Sequence, residues 1–287
     1  MTYNELWRKL APTYGDGEAK AIARMVYEVR FGLTTADLFT GKDTKLSADN
    51  KILLREIAQR LLQQEPIQYI LGEAEFGGRT FHVEPAVLIP RPETYELCMW
   101  ILEEGGKRKV EGDYNILDIG TGSGCIACTL AAEIPNAEVT AWDISDDALR
   151  IASENAKRTN VNVSLEKVDA LNIPHSSFLF SHFSIIVSNP PYICNKEREA
   201  MERNVLEHEP ELALFVPDND PLLFYRAIAR YAAKALKPEG MLFFEINPLY
   251  ANEMQQMLSE EGFSQTEVKQ DQFGKQRFTK SCLLRRK

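Results

Sequence analysis

Long apolar runs are missing from this chain. Hydrophobic residues make up 44% of its 287 positions, yet none of the runs approaches the roughly 18 residues that cross a bilayer. The first ten residues carry no basic stretch followed by an apolar one, so no secretory leader is expected and the chain is expected to be cytosolic. Positive charge is in short supply: 33 Lys and Arg against 42 Asp and Glu leave a net charge of −9. Proteins that grip nucleic acid usually present a basic face, because phosphates dominate the affinity. The balance points to a basic protein partner, and to neither direct nucleic-acid nor membrane binding. Cysteine is sparse and odd in number: Cys98, Cys125, Cys128, Cys194 and Cys282. Their irregular spacing argues against a disulfide framework. Cys125 and Cys128 do form a C-x-x-C pair, but zinc needs more ligands than four scattered histidines (His82, His175, His182, His208) offer. The expectation is two small apolar side chains at the start of a packed helix and no metal.

What is present suits one large domain plus a small one, or two modest domains. Residues 1–73 read as a small helical bundle. Ile22, Met25, Val26 and Val29 fall at helical spacing, as do Leu54, Ile57, Ala58 and Leu61, and Ser47 is a candidate N-cap for the second of these helices. Residues 74–93 form a linker. Phe76-Gly77-Gly78-Arg79 reads as a hairpin turn, and Val87-Leu88-Ile89-Pro90-Arg91-Pro92 as extended chain that packs, since proline disfavours helix in the residue before it. From 94 to 287 strands alternate with helices. Strands are expected at 115–119, 138–142, 164–168, 184–188, 241–246, 266–269 and 281–284, and helices at 124–134, 146–159, 222–236 and 249–261. That alternation indicates an α/β, doubly wound, mostly parallel sheet.

Three motifs carry chemistry. Asp118-Ile119-Gly120-Thr121-Gly122-Ser123-Gly124 follows an apolar strand and opens a helix. Its glycines let the backbone turn tightly and approach a ligand, and N–H groups at the helix start suit an anionic group. The spacing is G-x-G-x-G, where a dinucleotide site would want G-x-G-x-x-G, so hydride transfer is disfavoured. Asp143, at the end of the next strand, is a candidate acceptor for two ribose hydroxyls; the alternative is an acid at a helix N-terminus. Asp169, with its neighbour Ala170, is the analogous candidate for an adenine pocket. Asn189-Pro190-Pro191-Tyr192 closes a further apolar strand, at the sheet edge where doubly wound folds bind ligands. Proline fixes φ and stiffens the loop. The Asn189 side-chain oxygen and the Pro190 carbonyl can accept two hydrogen bonds from an –NH₂ group, and Tyr192 offers a flat face. An amide nitrogen is a poor nucleophile; orientation in a near-attack geometry can supply up to roughly 7–11 kcal/mol, to which electrostatic preorganisation adds.

The acid-led glycine loop resembles that of S-adenosylmethionine methyltransferases, and Asn-Pro-Pro-Tyr resembles the motif of amino-methyltransferases. Pro66-Ile67-Gln68-Tyr69-Ile70-Leu71-Gly72, Phe76-Gly77-Gly78, Phe81-His82-Val83, Val87-Leu88-Ile89-Pro90-Arg91-Pro92-Glu93-Thr94 and His208-Glu209-Pro210 add a resemblance to the release factor glutamine methyltransferases. That resemblance implies a helical N-terminal domain and a seven-stranded, Rossmann-like methyltransferase domain. It implies S-adenosyl-L-methionine as methyl donor and, as substrate, the glutamine of the Gly-Gly-Gln loop of peptide-chain release factors. By residue-wise carry-over, Gly120, Thr121, Gly122, Ser123, Gly124, Asp143 and Asn189 serve the cofactor, and Asp118, Asp169 and Ala170 join them as candidates from their positions beside the loop and after the third strand. Asn189, Pro190, Pro191 and Tyr192 hold the glutamine, with Asn189, Pro190 and Tyr192 as the catalytic set. The segment from Ile89 to Thr94, Arg91 and Glu93 included, shapes the mouth. Tyr95, in place of the usual acid, and Glu245-Ile246-Asn247-Pro248, in place of a more glycine-rich strand end, depart from the family pattern and could alter the rim. The rivals are a ribosomal-protein glutamine methyltransferase, a DNA or RNA amino-methyltransferase acting on adenine or cytosine, and a non-catalytic sensor of the cofactor.

Overall fold

Thr2 begins the first helix, α1 (Tyr3–Met25): its hydroxyl accepts the Glu5 amide while the Glu5 carboxylate takes the Thr2 amide, which satisfies two donors a helix start leaves orphaned. The computed structural model describes residues 1–107, 114–173 and 183–283. They group into two units, Met1–Glu73 with Met201–His208, and Ala74–Ala200 with Glu209–Lys287. In the first unit, Ile22 and Val26 are buried as their spacing suggests, but Met25 and Val29 are 38% and 43% exposed. Residues Val26–Arg30 form a π-helical turn. Tyr27 is buried one helical turn after the buried Ala23, and its hydroxyl donates to the Met1 carbonyl; Val29 lies within the wider π-turn and faces out. After α2 (Thr35–Phe39), Ser47 caps α3 (Ala48–Leu62) by accepting the Asn50 amide. Leu54, Ile57, Ala58 and Leu61 are all buried, and α4 (Ile67–Leu71) adds Ile67, Ile70 and Leu71 to the same core.

Strands β1 (Glu73–Phe76) and β2 (Arg79–His82) form the expected hairpin. Gly77 and Gly78 both have positive φ, +58° and +74°, as a two-residue type I′ turn demands. The extended chain after it ends in α5 (Pro92–Lys107), a helix that the sequence pattern did not indicate. Proline is well suited to its first position, where the missing N–H has no partner to lose.

The second unit then alternates as expected: β3 (Tyr114–Ile119), α6 (Cys125–Glu133), β4 (Ala137–Asp143), α7 (Asp146–Arg158), β5 (Ser164–Lys167) and β6 (Phe183–Ser188). The short strand β7 (Ile193–Cys194) follows; α8 (Arg203–His208) belongs to the first unit. Next come α9 (Glu211–Leu214), β8 (Phe215–Val216), α10 (Leu223–Ala235), β9 (Leu236–Glu245), α11 (Ala251–Glu260), β10 (Phe263–Gln270) and β11 (Gln276–Leu283). The last three strands begin earlier than their apolar cores suggested, and residue 284 lies outside the described residues.

Among the described residues the main sheet has seven strands in the order β10-β11-β9-β6-β3-β4-β5. All neighbours are parallel except β11, which runs antiparallel to both β9 and β10. Alternate residues of β6 feed opposite faces: Ile186 packs with α10 and α11, while Ile185 and Val187 pack with α5 and α6, the two-residue period of a strand covered on both sides. The chain order reverses between β3 and β6. Doubly wound sheets bind ligands outside the carboxyl ends of their strands at such a switch point.

Candidate functional site

A cavity of about 450 Å³ opens at that switch point, within the range of small-molecule sites. Gly120, Thr121, Gly122 and Ser123 form one wall, Asp143 stands beside them, and Ser188, Asn189, Pro190 and Pro191 form the opposite wall. Ser188 holds the two walls together, its buried hydroxyl donating to the Ile119 carbonyl at 2.6 Å. Asp169 and Ala170 lie on the lining with Ile144, Val168 and Leu171; Arg91 and Thr94 lie on it too.

The glycine loop is held largely by the end of β4. The amides of Gly120 and Thr121 donate to the Trp142 carbonyl at 2.8 and 3.0 Å, and the Gly124 amide donates to Thr121. The Gly122 amide donates to Asp143 at 2.9 Å, and the other Asp143 oxygen caps the Ser145 amide at 2.9 Å. Asp143 therefore fixes the loop and still has acceptor capacity, since a carboxylate offers about four lone-pair sites; burial raises its pKa above the usual carboxylate range. Gly124, at φ +78°, sits 3.1–3.2 Å (to an added Cβ) from Ala152 of α7, so a side chain there meets both strain and a neighbour.

Asp118 is fully buried beneath the loop and does not line the cavity. Its carboxylate accepts the Thr121 hydroxyl at 2.7 Å, and burial pushes its pKa up to about 7. Asp169 accepts the Leu171 amide and the Asn172 side chain, the hydrogen bonds of a local turn. Cys125 and Cys128 are buried thiols in α6, pushed up by burial to about 12 and about 11. Among the described residues no cluster of His, Cys, Asp and Glu could hold a metal ion; His175 and His182 lie outside them.

Around Asn189 the side chains form a chain. Its Nδ2 donates to the Thr94 hydroxyl at 3.3 Å, and that hydroxyl donates to Glu245 at 2.7 Å. The Tyr192 hydroxyl donates to the other Glu245 oxygen at 3.1 Å. Tyr192 does not line the cavity; burial and the Glu245 charge push its hydroxyl pKa well up. Asn247, one of the departures from the expected pattern, donates to the Tyr192 carbonyl at 3.1 Å and to Glu197, which fastens the loop from behind. Tyr95, the other departure, packs edge-on against Phe76 and over Gly77 of the hairpin. Arg91 is ion-paired with the buried Glu209, whose second oxygen takes the Ile89 amide at 3.2 Å. Glu93 lies in the first turn of α5 and off the cavity lining.

Thr94 was expected only at the mouth, and the parts played by Glu245, Asn247, Glu209 and Asn155 were not anticipated. Asn155, on α7, takes the His82 amide and donates to the carbonyls of His82 and Ser123 at 2.9 and 2.8 Å. It thus ties the hairpin to the glycine loop.

Residues 107–212 match the methyltransferase small domain family, and residues 7–72 match the PrmC N-terminal domain family. The chain is 44% identical over 270 residues to a release factor glutamine methyltransferase of Bacteroides thetaiotaomicron, covering 94% of this chain and 95% of that one. The chain belongs to the release factor glutamine methyltransferase family. A second member, from Flavobacterium psychrophilum, is 43% identical and covers 94% of each chain. In fold, this release factor glutamine methyltransferase family member is also similar to the 16S rRNA N2 G1207 methyltransferase of T. thermophilus, solved with AdoMet and guanosine. That likeness has a TM-score of 0.53 at 21% identity, over 74% of this chain and 50% of that one.

Proposed function

We propose that this chain transfers a methyl group from S-adenosyl-L-methionine to the side-chain amide nitrogen of the glutamine in the Gly-Gly-Gln loop of peptide-chain release factors. The observation that carries the reading is the shared cavity: the glycine loop with Asp143 on one wall, and Asn189-Pro190-Pro191 on the other. The residues fit the donor. Gly120 and Gly122 leave open space where a Cβ would stand, Asp143 suits ribose hydroxyls, and Ile144, Val168, Ala170 and Leu171 offer a largely apolar slot for a planar base. Bound there, the donor supplies a sulfonium methyl already activated for transfer.

The remaining work falls to the chain. In this reading Asn189 Oδ1 and the Pro190 carbonyl accept both hydrogens of the glutamine –NH₂, favour positive charge developing on nitrogen, and aim its lone pair at the methyl. With the donor bound, its methyl would pass to the nitrogen as the S–C bond breaks and a thioether leaves, and the nitrogen would release one proton to solvent. Arg91, held by Glu209, stiffens the mouth. The helical unit of residues 1–73 is assigned to recognition of the protein substrate. No described helix is long and apolar enough to cross a membrane. The experiment is methyl transfer from labelled donor to purified release factor, with total RNA alongside and Asn189→Ala as the control that should lose turnover. Labelling of RNA alone would overturn the choice of substrate.

A further inference from the structure

Asn189 can serve an –NH₂ substrate only with its oxygen facing the cavity. Turned by half a rotation, its own –NH₂ would meet the substrate –NH₂, donor against donor. The two orientations are nearly the same shape, so packing alone discriminates poorly between them. Polarity discriminates well. An ionised carboxylate only accepts hydrogen bonds, and a hydroxyl has one proton to donate.

Glu245 is 2% exposed, at the end of β9. It accepts from Thr94 at 2.7 Å and from Tyr192 at 3.1 Å, and its two oxygens are each engaged by a hydroxyl donor. Burial leaves its pKa above the usual carboxylate range, with the Thr94 hydroxyl, the Arg277 guanidinium and the Tyr192 hydroxyl opposing that rise and the Glu93 charge adding to it. Thr94, 3% exposed, spends its only proton on that carboxylate. Toward Asn189 its oxygen can then only accept, so Asn189 must present Nδ2 to it, as it does at 3.3 Å. The carboxamide has one remaining face, and Oδ1 takes no hydrogen bond from the described residues.

We infer that Glu245 and Thr94 are positioning residues that set the hydrogen-bond polarity of Asn189, so that an acceptor faces the reacting nitrogen. Neither needs to touch the reacting atoms. The inference rests on the methyl-transfer reading above and adds to it the reason the catalytic amide points one way. It also gives Glu245 a function at the strand end where the chain departs from the expected glycine-rich pattern.

The test uses the full-length enzyme, release factor as methyl acceptor, and three variants. Thr94→Val keeps the shape and removes the acceptor; kcat should fall about 10–100-fold, the scale known for the partners that orient metal ligands and carried over here to an oriented amide. Donor affinity, measured by titration, should stay near wild type, as should the KM for release factor. Thr94→Ser restores a hydroxyl of the same polarity and should recover most of kcat. Glu245→Gln keeps the volume but lets a carboxamide donate to Thr94, freeing that hydroxyl to point at Asn189 Oδ1; kcat should drop as for Thr94→Val. If Thr94→Val retains wild-type kcat, or Thr94→Ser is no better than Thr94→Val, the inference fails. Equal losses in donor affinity and turnover would make the network merely structural and would also overturn it. A wild-type enzyme that labels no release factor would instead sink the functional reading itself, so the two failures are distinguishable. Should Thr94→Val unfold, the contrast between Thr94→Ser and Glu245→Gln still decides the matter.

Discussion

Replacing Asn155 with alanine would strip three hydrogen bonds from one buried point. Asn155 is fully buried, and its carboxamide takes the His82 amide at 2.6 Å and donates to the carbonyls of His82 and Ser123. A typical hydrogen bond contributes about 0.5–1.5 kcal/mol net, and a buried partner left unsatisfied costs about 1–3 kcal/mol. His82 is only partly buried, so water can serve its two backbone groups, while the Ser123 carbonyl is buried and bears the larger penalty. Together these put the loss at about 2–4 kcal/mol. For a unit of about 200 residues that is roughly 4–16 °C in Tm. Because Ser123 belongs to the glycine loop, donor affinity should fall as well. Asn155→Asp is the sharper variant: it keeps an acceptor for His82 but sets a carboxylate against two carbonyls, so it should be at least as damaging as alanine. Urea unfolding of the three proteins measures the cost. A loss below about 1 kcal/mol for Asn155→Ala, or an Asn155→Asp protein as stable as wild type, would refute the accounting.

Asp143→Ala should weaken donor binding and loosen the Gly122 turn it accepts from; calorimetric titration giving unchanged affinity would refute its ribose role. Gly77→Ala would place a Cβ 2.2 Å from the Tyr95 ring at a φ of +58°, so it should cost about 2–4 kcal/mol, whereas Gly78→Ala, with open space around it, should cost only about 1–2 from backbone strain; equal melting temperatures for the two would contradict this. Asp118, buried and raised from 3.8 to about 7, binds a proton more tightly folded than unfolded. Its contribution is therefore fully present below pH about 4 and is lost as pH rises through about 7. Asp118→Asn should flatten the fall in stability across that window, and unfolding curves that keep the wild-type slope would contradict the assignment.

The parts of this molecule that could be read from the sequence are those written in adjacent residues. The end of a strand, three glycines and a helix start lie within 118–125, and Asn189-Pro190-Pro191-Tyr192 within four positions; their spacing marked them as candidate ligand loops, and the chemistry proposed for them came from a family resemblance. The mostly parallel, doubly wound sheet followed from apolar strand segments alternating with helical ones, and the family resemblance implied its seven strands. The parts that could not be read are pairs far apart in the chain. Thr94 meets Asn189 across 95 positions and Glu245 across 151, and Asn155 meets His82 across 73. No local pattern marks such partners, and Glu245 and Asn247 showed only as departures from an expected strand end. Asp118 was expected at the cofactor, yet it turns inward to Thr121; an alternating strand has two faces, and sequence does not say which one meets the ligand. Helix α5 was missed because Pro90 and Pro92 read as extended chain. Val29 lies within a π-helical turn, which periodicity at 3.6 does not detect, and Met25 sits at the edge of the apolar stripe whose centre is Ile22, Ala23, Val26 and Tyr27.

The central claim is that a carboxamide nitrogen is methylated in the cavity between the glycine loop and Asn189. The most direct measurement is mass spectrometry of release factor peptides after incubation with enzyme and isotopically labelled S-adenosylmethionine. A mass gain of one labelled methyl on the single peptide carrying the Gly-Gly-Gln glutamine is the predicted result. Label on RNA, or on a different residue of the release factor, would contradict it.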